Sequence, residues 1–590
     1  MQERQEMEKL CAEVDWIEGI HWRVNPESSL LEVDLDLAVH GNPRAVTLTY
    51  PEAFPNTPAY IRPRDKAQHW SVHQYGAGGS LCLEWRADNW QRSVTGADLV
   101  RSLYKLLSTE SHPDQPARVP SAHHLTSGQE MRSNNNRLIA SPGLFTALSL
   151  LPSETVVPIR SNTVVHDSTF VCFVSEIADT AGDVFPIGDL PKALSAKFPL
   201  FTWAREGFAL KSGRFSDTAS VNTVDELASI IAEAGLSVPV TAPGGTGLAR
   251  LPDAIFLLAG DDAVNLQAFY VINGELTRYV VIRAEDPGLR LPPAYTELKE
   301  MRIAIIGLGS IGSKIAMSLA RSGCRKFLVV DDDLLLPQNT CRHELSWMAV
   351  GVHKAAAIKE ALSYVAAGIE VDGQIHRLAG QESSMIAARV LKRLASCDLI
   401  IDATANPDVF LLLAAVAQTH HLPLCWGEVY AGGIGGMIAR ARPGADPNPL
   451  AVRDGVTRYL QDQPPAPYRN ATGYDVSDED PIVADDADVS HIASAIARLA
   501  LDTLVKRQPS AFGCQAYLIG LRNEWVFSSA FDTRPIEVTG EGWDLPQSSE
   551  DEMKAALETL VSIMTEGADD RSDSAAGDPQ NDQGSAAQSR

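Results

Sequence analysis

Two sets of residues in this chain have the types and spacing to do chemistry. The first is Gly307-Leu-Gly309-Ser-Ile-Gly312, set directly after the apolar run Ile303–Ile306. Glycines in that pattern permit a tight turn, close approach of a phosphate to backbone N–H groups, and close packing of a helix on the preceding strand. A second apolar run, Phe327–Val330, ends in Asp331-Asp332-Asp333. That places an acid about 20 residues past the glycines, where it can take ribose hydroxyls. An NAD-linked dehydrogenase would show the same features. Asn339, Arg342 and Lys354 separate the two readings. Two cations and an amide beside the ribose acid suit a triphosphate whose charge must be spread during adenylyl transfer, a need that a dinucleotide does not have.

The second set surrounds Cys82, in Gly79-Ser-Leu-Cys82-Leu83, with Tyr50-Pro51, Phe54-Pro55 and Pro58 before it and Trp90 behind it. A thiol is nucleophilic and also leaves well when an amine or hydroxyl attacks its ester. A cysteine in an exposed Gly/Ser-rich turn therefore suits acyl transfer with a bulky substrate. Gln74 carries an amide donor close by, and His73 reads equally as a base or as a plain surface histidine. The other seven cysteines, Cys11, Cys172, Cys324, Cys341, Cys397, Cys425 and Cys514, are scattered singly with no C-x-x-C pair. Their spacing supports no structural zinc site, and most read as small buried hydrophobes.

The elements that must hold these residues divide the chain. Its 590 residues exceed one core, and about 150 residues per domain suggests three or four domains. Residues 1–112 read as a small α+β domain: a helix over Gln2–Trp16, a half-buried strand over Leu31–Leu37, a strand over Arg44–Tyr50, a Pro/Gly/Trp-rich loop over 51–95 and a helix over Ala97–Ser108. A polar linker is expected over 113–140. A middle domain over 141–297 carries strand-like runs at Phe170–Val174, Ala254–Leu258 and Tyr279–Ile282, and shows no chemical motif. From 298 to about 545 strands and helices alternate, the signature of a parallel doubly wound sheet. Residues 443–487 look like a long crossing loop, and the polar tail, 546–590, is expected to be mostly disordered. A net charge of -25 offers no footprint for nucleic acid or an anionic membrane. No apolar run approaches the roughly 20 residues that span a bilayer, and nothing at the N-terminus resembles a signal peptide, so a cytoplasmic location is expected.

Taken together, the glycine turn, Asp331, Asn339-x-x-Arg342 and Lys354 resemble the ubiquitin-activating/ThiF/MoeB adenylation family over roughly residues 300–440. The resemblance implies a Rossmann-like domain that binds ATP and Mg2+ and adenylates the C-terminal carboxylate of a small protein. Gly307, Gly309, Gly312, Asp331, Asp333, Asn339, Arg342, Lys354 and Asp402 would be its cofactor-binding residues. The family places its magnesium-linked Asp in a Cys-Thr-Asp-Asn segment, whereas here Asp402-Ala-Thr-Ala405-Asn406 puts alanine at that place. Asp402 is then the expected metal ligand, with Asp408 as the other carboxylate in reach and strand-end capping as the plain role for Asp402.

The Cys82 set resembles the ubiquitin-conjugating fold over about residues 5–110, with Val72-His73-Gln74 where that family has His-Pro-Asn. In relatives a relay cysteine often lies in the crossing loop. Residues 443–487 hold none, which leaves Cys514 as the relay by elimination, and Cys425 reads as buried. The middle domain would be a packing or dimerising unit or an inactive adenylation-like one. The fusion of the two halves is similar to bacterial enzymes of CBASS-type antiphage defence. That similarity implies a ubiquitin-like protein or a cyclic-oligonucleotide synthase as the activated substrate, target-protein lysines as acceptors and a homodimer. A sulfur-carrier adenylyltransferase with a non-catalytic N-terminal binding module is the alternative.

Overall fold

The structure is a computed structural model. It describes residues 2–71, 73–111, 134–195, 202–217, 221–238, 251–262, 265–285, 290–381, 383–465, 484–544 and 553–562. The chain forms two compact units, divided between Ser133 and Asn134.

The first unit is a four-stranded antiparallel meander, Ile17–Val24, Leu31–Val39, Asn42–Tyr50 and Tyr60–Pro63, with helices Gln2–Glu13 and Gly96–Glu110. Strand alternation decides which residues go inside: Val33 pairs with Leu48, Leu35 with Val46 and Leu48 with Ile61, all buried. Leu31, read as part of that face, is exposed at the strand start. The acids on the opposite face meet a row of arginines, with Arg23 and Arg62 on Glu32 and Arg64 on Asp36. A capping box between Thr95 and Asp98 starts the second helix. Glu3 accepts from both the Tyr50 hydroxyl and the Gly96 N–H, which ties the first helix to the sheet and to the second helix.

The second unit contains two sheets. In the first, strand Asn136–Ala140 pairs with Glu275–Arg283 on one side and Thr169–Ala178 on the other, closing seven strands into a ring with Val184–Pro186 attached. That strand lies inside the stretch expected as a linker, most of which (112–133) falls outside the described residues. Although Thr202–Lys211 runs parallel to Ala254–Ala259 and Asn136–Ala140 runs parallel to both its neighbours, most pairings of this sheet are antiparallel. The cause is local: Asn273 and Gly274, both at positive φ, turn Leu266–Ile272 straight back into Glu275–Arg283, and Asp167 does the same after Thr155–His166. Hairpin turns leave no chain for the crossover helices a parallel sheet needs.

The second sheet has five parallel strands in the spatial order Glu370–Gln374, Lys326–Val330, Arg302–Ile306, Leu399–Asp402, Leu424–Val429, extended by antiparallel Gly435–Ala441, Ala516–Gly520 and Thr533–Ile536. Helices Ser310–Arg321, Lys354–Leu362 and Asp486–Leu504 pack on one face, and Ser384–Leu394, Pro407–His420 and Pro449–Gln461 on the other. This is a doubly wound fold, as the strand–helix alternation requires. Within the expected crossing loop, Asn448 caps a Pro-initiated helix, Pro449–Gln461, while 466–483 lie outside the described residues. The same holds for most of the expected disordered tail, 545–552 and 563–590. No helix among the described residues is long and apolar enough to cross a membrane.

Candidate nucleotide pocket and candidate thiol site

Chain order runs outward from Arg302–Ile306 to one edge of the sheet, then returns to Leu399–Asp402 on its other side. A crevice opens at such a switch point, beyond the carboxyl ends of the strands, and ligands bind there. Here the crevice is a cavity of about 430 Å3 lined by Gly307, Gly309, Asp331, Asn339, Arg342 and Lys354, among others. Gly307 sits at φ +81, and a Cβ at Gly312 would lie 1.9 Å from the Gly307 carbonyl oxygen, so both positions require glycine. The helix that follows has Gly309 as its N-cap and no side-chain cap, unlike the helices begun by Asn406 and Asn448. Its first N–H groups are therefore available to an anion at the positive end of the helix dipole.

Around that helix end the charges are fixed. Asp331 accepts the Leu308 N–H at 2.6 Å and the Asp333 N–H at 2.9 Å, one carboxylate oxygen to each, and burial raises its pKa. The Lys354 ammonium is buried and held by Asp333 at 2.8 Å. Asn339 accepts the Leu336 N–H, and Arg342 lies three residues further along the same turn. Sequence reasoning missed three further lining residues, His343, His376 and Arg377. The last two follow strand Glu370–Gln374 directly, so a cation just past the end of a third parallel strand was a usable signal. His343 Nε2 donates to the Leu308 carbonyl at 2.7 Å while Nδ1 accepts the Leu345 N–H, which fixes a neutral ring. Burial pushes its pKa down to about 4.

Asp402 does not line this cavity. It opens on a second cavity of about 200 Å3, which shares Ala405 and Asn406 with the first and also takes in Glu428 and Arg453. Asp402 Oδ1 accepts both the N–H and the hydroxyl of Thr404, and burial raises the pKa of Asp402 and of Glu428. Among the described residues no group of three or more His, Cys, Asp or Glu side chains gathers as a metal site. Magnesium needs fewer protein ligands, since it is usually held by one or two carboxylates together with substrate phosphates and water. Asp402 and Glu428 fit that donor set. Asp408, the other carboxylate considered, is exposed at the start of helix Pro407–His420.

Cys514 stands elsewhere. Strand Ala516–Gly520 runs antiparallel to Gly435–Ala441, which itself reverses the parallel strands, so Cys514 precedes Ala516 at the sheet edge opposite the Gly307 turn. Five residues of strand put roughly 17 Å between the two edges. The thiol is half-buried above a network in which Arg440, fully buried, bonds Asp502, Ser510 and the Phe512 carbonyl. Cys425 is fully buried, as its strand-like setting suggests.

In the first unit, Cys82 lies half-buried in a turn closed by two backbone bonds, Cys82 N–H to the His73 carbonyl at 2.7 Å and Tyr75 N–H to the Ser80 carbonyl at 3.0 Å. Gln74 braces this loop: its Oε1 accepts the Trp70 N–H and its Nε2 donates to the Gln68 carbonyl. His73 Nε2 lies 3.7 Å from the Glu110 carboxylate. The Trp90 indole N–H donates to the Pro55 carbonyl, joining the segment behind the cysteine to the Tyr50–Pro58 loop. The pKa of Tyr75 is raised, first by its electrostatic interaction with Cys82 and then by burial.

Residues 287–470 match the ThiF family. The chain is 34% identical over 143 residues to uncharacterized protein y4qC of Sinorhizobium fredii, a match covering 24% of each chain. It is 33% identical over 238 residues to the ATP-dependent ubiquitin transferase-like protein Cap2 of Vibrio cholerae, covering 37% of each. The chain thus aligns with well under half the length of these curated relatives. A solved structure of Escherichia coli MccB with AMPCPP and MccA superposes at a TM-score of 0.32 and 15% identity, over 42% of this chain and 66% of that one, a likeness too slight to bear on function.

Proposed function

We propose that this chain, which carries a ThiF family domain, uses ATP to adenylate the C-terminal carboxylate of a ubiquitin-like protein or a cyclic-oligonucleotide synthase, and conjugates it through Cys82 to amines of target proteins, in antiphage defence. One observation carries the first half: the uncapped N-terminus of helix Ser310–Arg321 opens on a cavity that also gathers Arg342, Lys354 and Arg377. ATP supplies the activated phosphoryl group and the pyrophosphate leaving group. The helix N–H groups and Gly309 would seat the phosphates, Arg342 and Lys354 would take up the charge that grows on the departing pyrophosphate, and Asp331 would hold the glycine turn and face the ribose. Asp402, with Glu428 beside it, would hold magnesium.

The conjugating half rests on Cys82 in its glycine-rich turn and on the likeness to the ATP-dependent ubiquitin transferase-like protein Cap2. Cys514 remains the candidate relay, but its place at the far sheet edge means the acyl group would have to travel or the domain rearrange. Transfer from the adenylate directly to Cys82 is the alternative route. The test is an incubation of the chain with ATP and a ubiquitin-like protein or synthase from the same operon. A dithiothreitol-sensitive adduct that disappears in Cys82→Ala supports the reading, and one that persists in the variant sinks it.

A further inference from the structure

The turn around Cys82 holds more than a thiol. Gln74 and Leu81 form an isolated antiparallel bridge, flanked by the His73–Cys82 and Tyr75–Ser80 backbone bonds. In an antiparallel pair, alternate residues share a face, so His73, Tyr75, Ser80 and Cys82 project to one side, with Tyr75 diagonal to the cysteine and within reach of it. The turn is pinned there: a Cβ at Gly79 would lie 1.8 Å from the Tyr75 carbonyl oxygen. Tyr75 is 70% exposed, and the proximity of Cys82 is felt at its hydroxyl, whose pKa it raises. Gln74, the neighbouring amide, has its oxygen and nitrogen engaged in the loop.

A positive charge stands beside the pair. Arg86 interacts electrostatically with both Cys82 and Tyr75. It is not a loose surface side chain, since Asp88 grips the guanidinium at 3.0 and 3.1 Å. Its own N–H is held by Asn89 at 2.7 Å, and Asn89 in turn donates to the Glu84 carbonyl.

We propose that Tyr75 is a catalytic residue of the Cys82 reaction, its hydroxyl donating to the sulfur while Arg86 supplies a fixed positive charge beside it. The role rests on the reading that Cys82 carries an acyl group. In the transfer step, an acceptor amine attacks the thioester carbonyl and a C–N bond forms. The C–S bond breaks, its electron pair stays on sulfur as thiolate, and the amine proton passes to water. Charge grows on sulfur in that step, and a donor already aimed at it stabilises the transition state more than the ground state.

The experiment uses the full chain and a probe that bypasses both nucleotide and modifier: a glycine thioester of mercaptoethanesulfonate, which acylates thiols by exchange. Intact-mass spectrometry follows acyl-Cys82 and its discharge to added free lysine. Tyr75→Phe removes one hydroxyl from an exposed ring and leaves the fold alone. It is expected to slow discharge by about 10–100-fold, somewhat less than the loss of a buried oxyanion donor, and Arg86→Gln by less than that. Discharge of Tyr75→Phe at the unaltered rate, from an adduct that Cys82→Ala abolishes, overturns the role of Tyr75 alone. Absence of any Cys82-dependent adduct in the unaltered chain overturns the conjugation reading and this role with it.

Discussion

The Gly307 crevice and the Cys82 turn both depend on glycines that no other residue can replace, yet they are built in opposite ways. In the crevice, strand ends and an uncapped helix supply the binding groups as backbone; Lys354 beside them is buried on a solvent-facing Asp333, and deeper in the same domain Arg440 and Asp502 are buried on both sides of their pair. At the cysteine the working groups are side chains on an irregular loop, with Tyr75 exposed and Arg86 paired to an Asp88 that is 62% exposed. A small, highly charged ligand is best met by groups whose reorganisation has already been done. A thiol that must reach another protein's backbone and a lysine needs access, and loops provide it.

Breaking the glycines gives the largest effects. Gly312→Ala places a Cβ 1.9 Å from the Gly307 carbonyl and is expected to abolish ATP binding in calorimetry, with acylation of Cys82 by a small thioester intact. Gly79→Ala should do the reverse. If either substitution impairs both readouts, the two sites are not independently built. Next comes the buried charge. Arg440→Leu takes from Asp502, 3% exposed, its buried cation and leaves it Arg507 at 3.6 Å, Ser510 and the Ala511 N–H, and should cost about 3 kcal/mol in chemical denaturation. Arg86→Gln breaks a solvent-screened pair and should cost less than about 1 kcal/mol. Comparable losses would erase the contrast.

A further effect separates the two regions by pH. His343 has a folded pKa of about 4 against 6.5 for the free side chain. The unfolded chain therefore takes the proton first as pH falls. Stability is complete above about 6.5 and is lost between there and about 4, by roughly 3 kcal/mol over the full span. Replacing the ring in His343→Gln should flatten that part of the stability–pH curve, and an unchanged slope would mean that other groups set it.

Much of the crevice was legible because backbone-built sites leave regular marks: an apolar run, glycines at fixed spacing, an acid at the next strand end, then Arg342 and Lys354. The structure brings Ile306, Gly307, Gly309, Asp331, Arg342 and Lys354 to one cavity, with Gly312 packed against the Gly307 carbonyl behind it. Asp402 faces the adjoining cavity together with Glu428, not the nucleotide pocket, because which wall of a crevice a strand-end carboxylate faces depends on packing across the sheet. Asn273-Gly274 is a plain hairpin signal in the middle domain, and the chain turns there from Leu266–Ile272 into Glu275–Arg283. Tyr75 could not have been picked out from spacing, since its contact with Cys82 is set by a single bridge within an irregular loop.

The division of labour between the two regions is tested most directly by ATP–pyrophosphate exchange, measured with the activated protein substrate on Arg342→Ala and Cys82→Ala side by side. Arg342→Ala should lower exchange by about 10²–10³-fold, while Cys82→Ala keeps the rate of the unaltered chain. Equal loss in both variants, or full exchange without Arg342, would refute an adenylation site that works upstream of the Cys82 thiol.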